Sequence, residues 1–191
     1  MTHVSIIGTG NMGQAISSLV TKGGNTADLL GRADADKPLT GDIVVLAVPY
    51  PAVEEVLGQR ASELDGKIVV DITNPLDFTT FDSLTVPADS SATAQIAAQI
   101  PNARVIKAFN TNFATTLTSG SVGDAQTTVT IAGDDTDAKN TLADVVTAGG
   151  LKALDAGSLK RARELESVGF LQITLAAAER ISWTGGFGIA D

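Results

Sequence analysis

Cysteine is absent from this chain of 191 residues, and histidine occurs only once. The absence of thiols excludes disulfide bonds and thiol catalysis, and it is typical of proteins of the reducing cytoplasm, so a cytoplasmic location is expected. The single histidine, His3, stands at the start of the first apolar run rather than after it. No metal-binding cluster, proton relay or nucleophile motif is predicted, and no dedicated catalytic residue.

Positive charge is also scarce, since 13 lysines and arginines face 22 aspartates and glutamates and the formal net charge is −9. A chain of this sign is repelled by the phosphates of nucleic acids and by anionic lipid surfaces, so neither is expected as a partner. The uninterrupted apolar runs are much shorter than the roughly 20 residues of a membrane helix, which predicts no membrane span.

The most informative stretch follows the first apolar run, where Ile7 gives way to Gly8-Thr9-Gly10-Asn11-Met12-Gly13 and apolar residues then recur at helical spacing. The glycines have the spacing G-x-G-x-x-G between a predicted strand and a predicted helix, which is the context of a dinucleotide-binding turn. The first glycine permits a sharp turn, Gly10 lets a phosphate approach the backbone, and Gly13 lets the helix pack on the strand. The amino terminus of the helix would add unpaired N–H groups and its positive dipole end to this phosphate site.

The residues after the second predicted strand bear on the choice between NAD and NADP. An acidic residue about 20 positions beyond the glycines accepts the ribose hydroxyls of NAD, whereas an arginine there accommodates the additional phosphate of NADP. This chain has Gly31-Arg32 at that point, and the arginine offers a planar fork of donors that suits a phosphate. The sequence therefore favours NADP, while Asp28, Asp34 and Asp36 leave NAD open as the alternative.

Short apolar strands alternate with helical patterns along the chain, which predicts an α/β fold with a doubly wound parallel sheet. Only nine residues separate Arg32 from Asp42, too few for a helical crossover, so the first half of the fold is predicted to be shortened. The next predicted strands are residues 43–48, 67–72, 104–109, 127–132 and 151–154. The length allows one such NAD(P)-binding Rossmann domain, residues 1–191, in which residues 158–191 form a C-terminal helical extension and tail.

Distinctive residues stand at the carboxyl ends of the predicted strands. They are Val48, Pro49 and Tyr50 after one strand, Asn74 after the next, and Asn110 after a third. In an open parallel sheet, ligands bind beyond these ends, at the point where the strand order reverses. We therefore expect these residues to line one cleft with residues 8–13, Gly31 and Arg32, and we take the whole set as candidate cofactor-binding residues.

From Ser158 onward the pattern predicts one long helix. Its apolar stripe consists of Leu159, Ala162, Leu165, Val168, Leu171 and Leu175. The charged residues outside the stripe, Glu166 among them, are interpreted as a solvent-exposed face. Residues 170–178 are apolar on almost all sides, which favours packing against a second copy and predicts a homodimer. The apolar tail, residues 183–189, is expected either to close over the cleft or to clasp the neighbouring subunit.

These residues together resemble the family of NADP oxidoreductases that use the deazaflavin coenzyme F420. The resemblance covers nearly the whole chain and is carried by residues 7–13, Gly31-Arg32, Leu46-Ala47-Val48-Pro49, Ala132-Gly133-Asp134-Asp135 and Leu154-Asp155-Ala156-Gly157-Ser158-Leu159. It implies that residues 9–12 and Arg32 hold NADP, that Val48 and Pro49 flank the nicotinamide, and that the deazaflavin lies against loops after later strands. Three segments differ from the deazaflavin enzymes: the one after Arg32, residues 71–75 and residues 109–112. The resemblance therefore indicates the class of cofactor more directly than the identity of the acceptor.

The predicted function is hydride transfer between NADP(H) and a small-molecule acceptor that is like a flavin or deazaflavin. Transfer between two flat rings depends on their stacking and alignment more than on a protein acid or base, and Asn74 and Asn110 are the candidate orienting groups. One alternative is a non-catalytic NADP(H)-binding redox sensor, which would have no acceptor pocket beside the nucleotide. Another is a reductase of a small imine or carbonyl compound, because Gly-Asn-Met-Gly-Gln-Ala also resembles the start of pyrroline-carboxylate reductases, although these need a large helical C-terminal domain.

Overall fold

The computed structural model describes residues 1–190, and a sheet of seven strands forms the centre of that part of the chain. Two further strands form a separate hairpin. In chain order, the nine strands of the described chain are His3–Ile7 (β1), Thr26–Leu30 (β2), Ile43–Leu46 (β3), Ile68–Asp71 (β4), Arg104–Lys107 (β5), Ser121–Val122 (β6), Ala125–Gln126 (β7), Thr128–Gly133 (β8) and Lys152–Gly157 (β9), of which β6 and β7 are the hairpin. The α-helices are Asn11–Lys22 (α1), Val53–Arg60 (α2), Ala92–Gln99 (α3), Ala114–Ser119 (α4), Thr136–Ala148 (α5) and Ala162–Ala177 (α6). Short 3-10 turns lie at Arg32–Asp34, Tyr50–Ala52, Ala61–Glu63 and Leu159–Arg161.

The sheet is ordered β2-β1-β3-β4-β5-β8-β9, so β1 lies between β2 and β3. The chain leaves β2, passes through the turn at Arg32–Asp34 and enters β3 on the other side of β1. The prediction of a shortened first half is confirmed, because no strand of residues 1–190 lies outside β2. The reversal of strand order beside β1 is the place at which such sheets bind ligands.

The predicted α/β fold with a doubly wound parallel sheet is confirmed, but the sheet is antiparallel at one junction. Strands β2 to β5 are parallel, but β8 runs antiparallel to β5, and β9 is parallel to β8. Helix α4 and the hairpin of β6 and β7 connect β5 to β8, and the sequence pattern indicates neither. Threonine is a weak helix former, and Thr115, Thr116 and Thr118 make up half of α4. This short connection returns the chain to the edge at which β5 ends, so β8 starts there and runs back.

Both faces of the sheet are covered, as a doubly wound fold requires. Along β3 the side chains alternate, so that Ile43 and Val45 join a buried cluster with α1 and α5, whereas Val44 and Leu46 join another with α2 and α3. All four side chains are at most 1 % exposed. Burial on both faces explains why these strands are continuous apolar runs in the sequence.

Helix α6 buries only the first part of the predicted stripe, through Ala162 and Leu165, and beyond these residues it buries a neighbouring face. Its buried residues are Ala162, Leu165, Glu166, Gly169, Gln172 and Ala176. Val168 and Leu171 are 39 % and 50 % exposed, and the interpretation of Glu166 as solvent-exposed is wrong, because its side chain is 1 % exposed. The helix lies across polar loops at the carboxyl ends of the strands, where Glu166 and Gln172 find backbone partners. Val168 and Leu171 are therefore available for a contact with a second copy, and the homodimer stays a prediction.

No helix within the described part of the chain combines the length and the apolar character needed to cross a membrane.

Candidate functional site

The glycine-rich turn between β1 and α1 has two positions that only glycine can occupy without a clash. Gly8 has a φ of +125°, and a Cβ atom there would lie 2.1 Å from the carbonyl oxygen of Ala47. A Cβ atom on Gly13 would lie 2.0 Å from the carbonyl oxygen of Gly8, so α1 packs directly on the turn. Gly10 instead faces open space, with no described atom within 4 Å of its missing Cβ, at the amino terminus of α1. The turn thus offers the close backbone approach and the helix dipole that a phosphate needs.

A cavity of about 440 Å³, the first pocket, opens beside this turn at the ends of β1, β2 and β3. The candidate cofactor-binding residues that line it are Gly8, Thr9, Gly10, Gly31, Arg32, Val48 and Pro49. Part of the remaining wall comes from α2, including Glu55, Val56 and Arg60. The structure therefore brings together the glycine-rich turn and the segment that the sequence predicts to distinguish NADP from NAD.

Arg32 is exposed in the first pocket, and its guanidinium group makes no hydrogen bond or ion pair with any of residues 1–190. Two of the three acidic residues that could have bound the ribose of NAD interact with other side chains of the chain. The carboxylate of Asp34 accepts a hydrogen bond from Nζ of Lys37 at 2.8 Å, which is the main cause of the lowered pKa of Asp34. Oδ2 of Asp28, in the middle of β2, lies 2.7 Å from Nε2 of His3, the first residue of β1. A free arginine beside occupied carboxylates favours an anionic ligand group.

A second arginine, Arg60, supports the loop behind Arg32. It is 5 % exposed, and its guanidinium group donates to the carbonyl oxygens of Asp34, Ala35 and Lys37 at 2.8, 2.6 and 2.9 Å. Because these donors are used within the chain, Arg60 fixes the wall of the first pocket and leaves Arg32 to meet a ligand. The sequence signal for Arg60 is too weak to reveal this role, since it resembles any arginine in the last turn of a helix.

A second cavity of about 380 Å³, the second pocket, lies between α1, the ends of β4 and β5, and α4. Its lining consists of Asn11, Met12, Ile72, Asn74, Phe78, Phe109, Asn110, Asn112, Phe113, Ala114, Thr115, Ile173 and Trp183. The lining is aromatic, aliphatic, hydroxyl or amide, and no charged side chain from the described residues belongs to it. The single cleft expected from the sequence is therefore two pockets, with residues 8–10 of the turn in one and residues 11–12 in the other.

Two candidate residues line neither pocket. Gly13 is buried beneath the turn, and Tyr50 lies beside α3, where its hydroxyl group donates to Oε1 of Gln95 at 2.6 Å. Burial and the negative charges of Glu166 and Asp71 raise the pKa of Tyr50, so its hydroxyl group stays protonated at neutral pH. Direct contact of these two residues with a cofactor remains a prediction.

Asn74 and Asn110 hold each other at the second pocket. Nδ2 of Asn74 donates to the backbone oxygen of Asn110 at 2.8 Å, and Nδ2 of Asn110 donates to Oδ1 of Asn74 at 2.9 Å. A Cβ atom on Gly169 would lie 2.2 Å from Oδ1 of Asn74, so a glycine in α6 allows the helix to contact this pair. The side-chain oxygens of Asn110 and Asn112 are buried without a hydrogen-bond partner in residues 1–190. An unpaired buried oxygen costs about 1–3 kcal/mol, and such atoms are concentrated at functional sites.

A buried ion network lies beneath these loops. Nζ of Lys107 is 2.9 Å from Oδ2 of Asp71 and 2.9 Å from Oε1 of Glu166, and it donates to the carbonyl oxygen of Thr73 at 2.5 Å. The three charged side chains are at most 1 % exposed. Oε2 of Glu166 accepts from the backbone amide of Ala92 at 3.0 Å, at the amino terminus of α3, where the helix dipole stabilises a carboxylate. The network therefore joins β4, β5, α3 and α6 under the second pocket.

The sheet order and the glycine-rich turn define a Rossmann-like dinucleotide-binding fold. A family model described as NADP oxidoreductase, coenzyme F420-dependent, matches residues 30–75. An F420-dependent NADP reductase from Methanocaldococcus jannaschii is 29 % identical over 166 residues, which cover 85 % of this chain and 74 % of the relative.

A comparison with solved structures also finds a protein described as an F420-dependent NADP reductase, over the full length of this chain. A crystal structure described as an F420-dependent NADP reductase from Arthrobacter sp. FB24 matches with a TM-score of 0.85 and 26 % identity and covers 100 % of both chains. An imine reductase from Bacillus cereus matches with a TM-score of 0.64 and 17 % identity over 96 % of this chain and 63 % of that one, which shows a shared fold alone. The predicted resemblance is confirmed: over most of its length the chain is similar in sequence, and over all of it similar in fold, to proteins described as F420-dependent NADP reductases.

Proposed function

We propose that this enzyme transfers a hydride between NADP(H) and a flavin-like or deazaflavin-like acceptor. The observation that carries the proposal is Arg32, an exposed cation without a partner among residues 1–190, in the pocket beside the phosphate-binding turn. A guanidinium group in this place suits the 2′-phosphate by which NADP differs from NAD. Asp34 does not offer the free carboxylate that NAD would use, because Lys37 already occupies it.

The residues around the turn divide the work of binding. The backbone of residues 8–11 and the start of α1 would hold the pyrophosphate, and Val48 and Pro49 would flank the nicotinamide. Bound NADPH supplies a hydride, and its transfer needs two aligned rings and a site from which water is excluded. The uncharged second pocket, which shares the turn through Asn11 and Met12, suits the acceptor ring, and we propose Asn74 and Asn110 as groups that orient the rings.

The second pocket also bears on the alternatives. A redox sensor needs a nucleotide site but no acceptor site, so an apolar cavity of about 380 Å³ beside the turn favours an enzyme. The names of the relatives make coenzyme F420 the first acceptor to test, and free flavins the second. We further propose that the enzyme is a cytoplasmic homodimer, with the exposed Val168 and Leu171 of α6 at the subunit contact, which light scattering would test.

The experiment is NADPH oxidation by the purified protein with coenzyme F420, FMN, FAD, a quinone and a ferric chelate as acceptors and NADH as the control nucleotide. We expect turnover with a deazaflavin or flavin and a clear preference for NADPH. Nucleotide binding without turnover would instead favour the sensor. Turnover confined to a cyclic imine or a carbonyl compound would favour the third alternative.

A further inference from the structure

The outer wall of the second pocket is formed by the C-terminal tail. Trp183 lines the pocket, and the centroid of its ring lies 5.0 Å from that of Phe113 at an interplanar angle of 52°. The hydroxyl group of Thr115 donates to the carbonyl oxygen of Trp183 at 2.5 Å and fixes the tail beside α4. The indole is still 51 % exposed, so much of its surface is free to contact a ligand. The tail is expected either to close over the cleft or to clasp a neighbouring subunit, and its path in this chain agrees with the first arrangement.

Gln172 fastens the tail to the floor of the same pocket. Its side chain is 1 % exposed, Nε2 donates to the carbonyl oxygen of Thr111 at 3.1 Å, and Oε1 accepts from the amide of Phe187 at 2.9 Å. A Cβ atom on Gly186 would lie 2.9 Å from Oε1 of Gln172, so the tail lies close against this side chain. Thr111 belongs to the loop that also carries Asn110 and Asn112. The buried side-chain amide of Gln172 therefore connects the tail to this loop.

The lining of the second pocket selects for ring shape and against charge. Its aromatic lining residues are Phe78, Phe109, Phe113 and Trp183, and its polar groups are amides, one hydroxyl and the indole N–H of Trp183. Within the described chain, the pocket has no arginine or lysine to hold a phosphate or carboxylate, and the net charge of −9 attracts no anion. We propose that Trp183 stacks on the acceptor and, with Phe113, selects an uncharged planar ring whose anionic substituents stay outside the pocket. This inference rests on the proposed function, because it identifies the second pocket as the acceptor site.

The first measurement is the steady-state oxidation of NADPH with riboflavin, a neutral flavin, in Trp183→Ala and Trp183→Phe. Trp183→Ala should raise the KM for riboflavin about fivefold, the size expected from the loss of one aromatic pair, and leave the KM for NADPH within about twofold. Trp183→Phe should retain most of the affinity, because it retains an aromatic face. Phe187→Ala is the matched control, since Phe187 is an exposed aromatic of the same tail that lies outside the pocket lining and should change neither KM.

A comparison of riboflavin with FMN tests the preference for an uncharged ring. The two share the ring system and differ by a phosphate, so riboflavin should have a KM no higher than that of FMN. A tenfold preference for FMN would overturn the selection against charge. An unchanged KM for riboflavin in Trp183→Ala, or equal losses in the alanine and phenylalanine variants, would overturn stacking.

Binding without turnover separates this inference from the proposed function. Lumichrome, a neutral planar ring, is titrated calorimetrically into the wild type and the same variants in the presence of NADP⁺, with about fivefold weaker binding expected in Trp183→Ala. If lumichrome binds in this manner but no acceptor is reduced, the stacking site stands and the proposed hydride transfer fails. If acceptors are reduced while neither the lumichrome affinity nor the riboflavin KM responds to Trp183, the proposed function stands and this inference fails.

Discussion

Replacement of Glu166 by alanine should strongly destabilise the protein. The change removes one of the two carboxylates that contact Lys107, and it leaves the amide of Ala92 without its acceptor. Loss of one partner from a buried ion pair costs about 3–5 kcal/mol. Because Lys107 keeps Asp71 at 2.9 Å and the carbonyl oxygen of Thr73, we expect the lower end of that range. With a urea m value of about 2 kcal/mol per M, a loss of about 3 kcal/mol lowers the unfolding midpoint by about 1.5 M.

The matched control is Glu164→Ala in the same helix. Glu164 is 54 % exposed, and its contact with Arg161 is 3.5 Å long. Exposed ion pairs contribute little to stability, so the urea midpoint should move by less than about 0.3 M. Urea unfolding followed by circular dichroism, with equal m values in all variants, gives both shifts. If Glu166→Ala moves the midpoint no further than Glu164→Ala does, the buried network does not stabilise the fold and the reasoning is refuted.

Other outcomes follow from the two pockets and from one carboxylate. Arg32→Ala should raise the KM for NADPH about 10- to 100-fold and leave the KM for NADH unchanged, because charged hydrogen bonds are worth about 1.5–3 kcal/mol; an equal rise for both nucleotides would contradict phosphate recognition. Asn110→Ala should lower both turnover and nucleotide affinity, and steady-state kinetics with unchanged values would refute an orienting role. Hydrogen bonds from Lys139 hold the pKa of Asp155 below 3.8, so the stability that this pair provides is complete above that pH and is lost as the pH falls through the lowered pKa. Lys139→Met should therefore make the urea midpoint fall less steeply below about pH 4 than in the wild type, and identical slopes would show that the pair is not coupled to folding.

The glycine-rich turn could be predicted because the spacing of its glycines is a local signal in the sequence. Gly8 and Gly13 are five residues apart, and a Cβ atom on Gly13 would meet the carbonyl oxygen of Gly8. The carbonyl oxygen that crowds Gly8 belongs to Ala47, and only the structure shows this contact. Arg32 stands two residues after the end of β2, so its place at the end of the strand could be predicted from the sequence, whereas the support that Arg60 gives the following loop could not. The freedom of Arg32 from partners within the described chain is a property that the structure adds.

The floor and wall of the second pocket could not be predicted in the same manner. Lys107 and Glu166 are 59 positions apart, and their contact depends on α6 crossing the ends of β4 and β5. The apolar spacing of α6 indicated another face, because Glu166 is counted as a surface charge until its buried partner is known. Trp183 reaches the pocket through a tail without regular structure, for which periodicity predicts nothing.

The buried network has a consequence for the order in which the protein is completed during synthesis. Asp71 and Lys107 leave the ribosome well before Glu166, which follows 59 residues after the lysine. Until α6 emerges, the amino end of α3 lacks the carboxylate that accepts from Ala92, and the ammonium group lacks one of its two anionic partners. Strands β1 to β9 all precede α6 in the chain, but Glu166 reaches the ends of β4 and β5 only once α6 has formed. Within the described chain, the second pocket is therefore completed only after residues 162–177 have been synthesised.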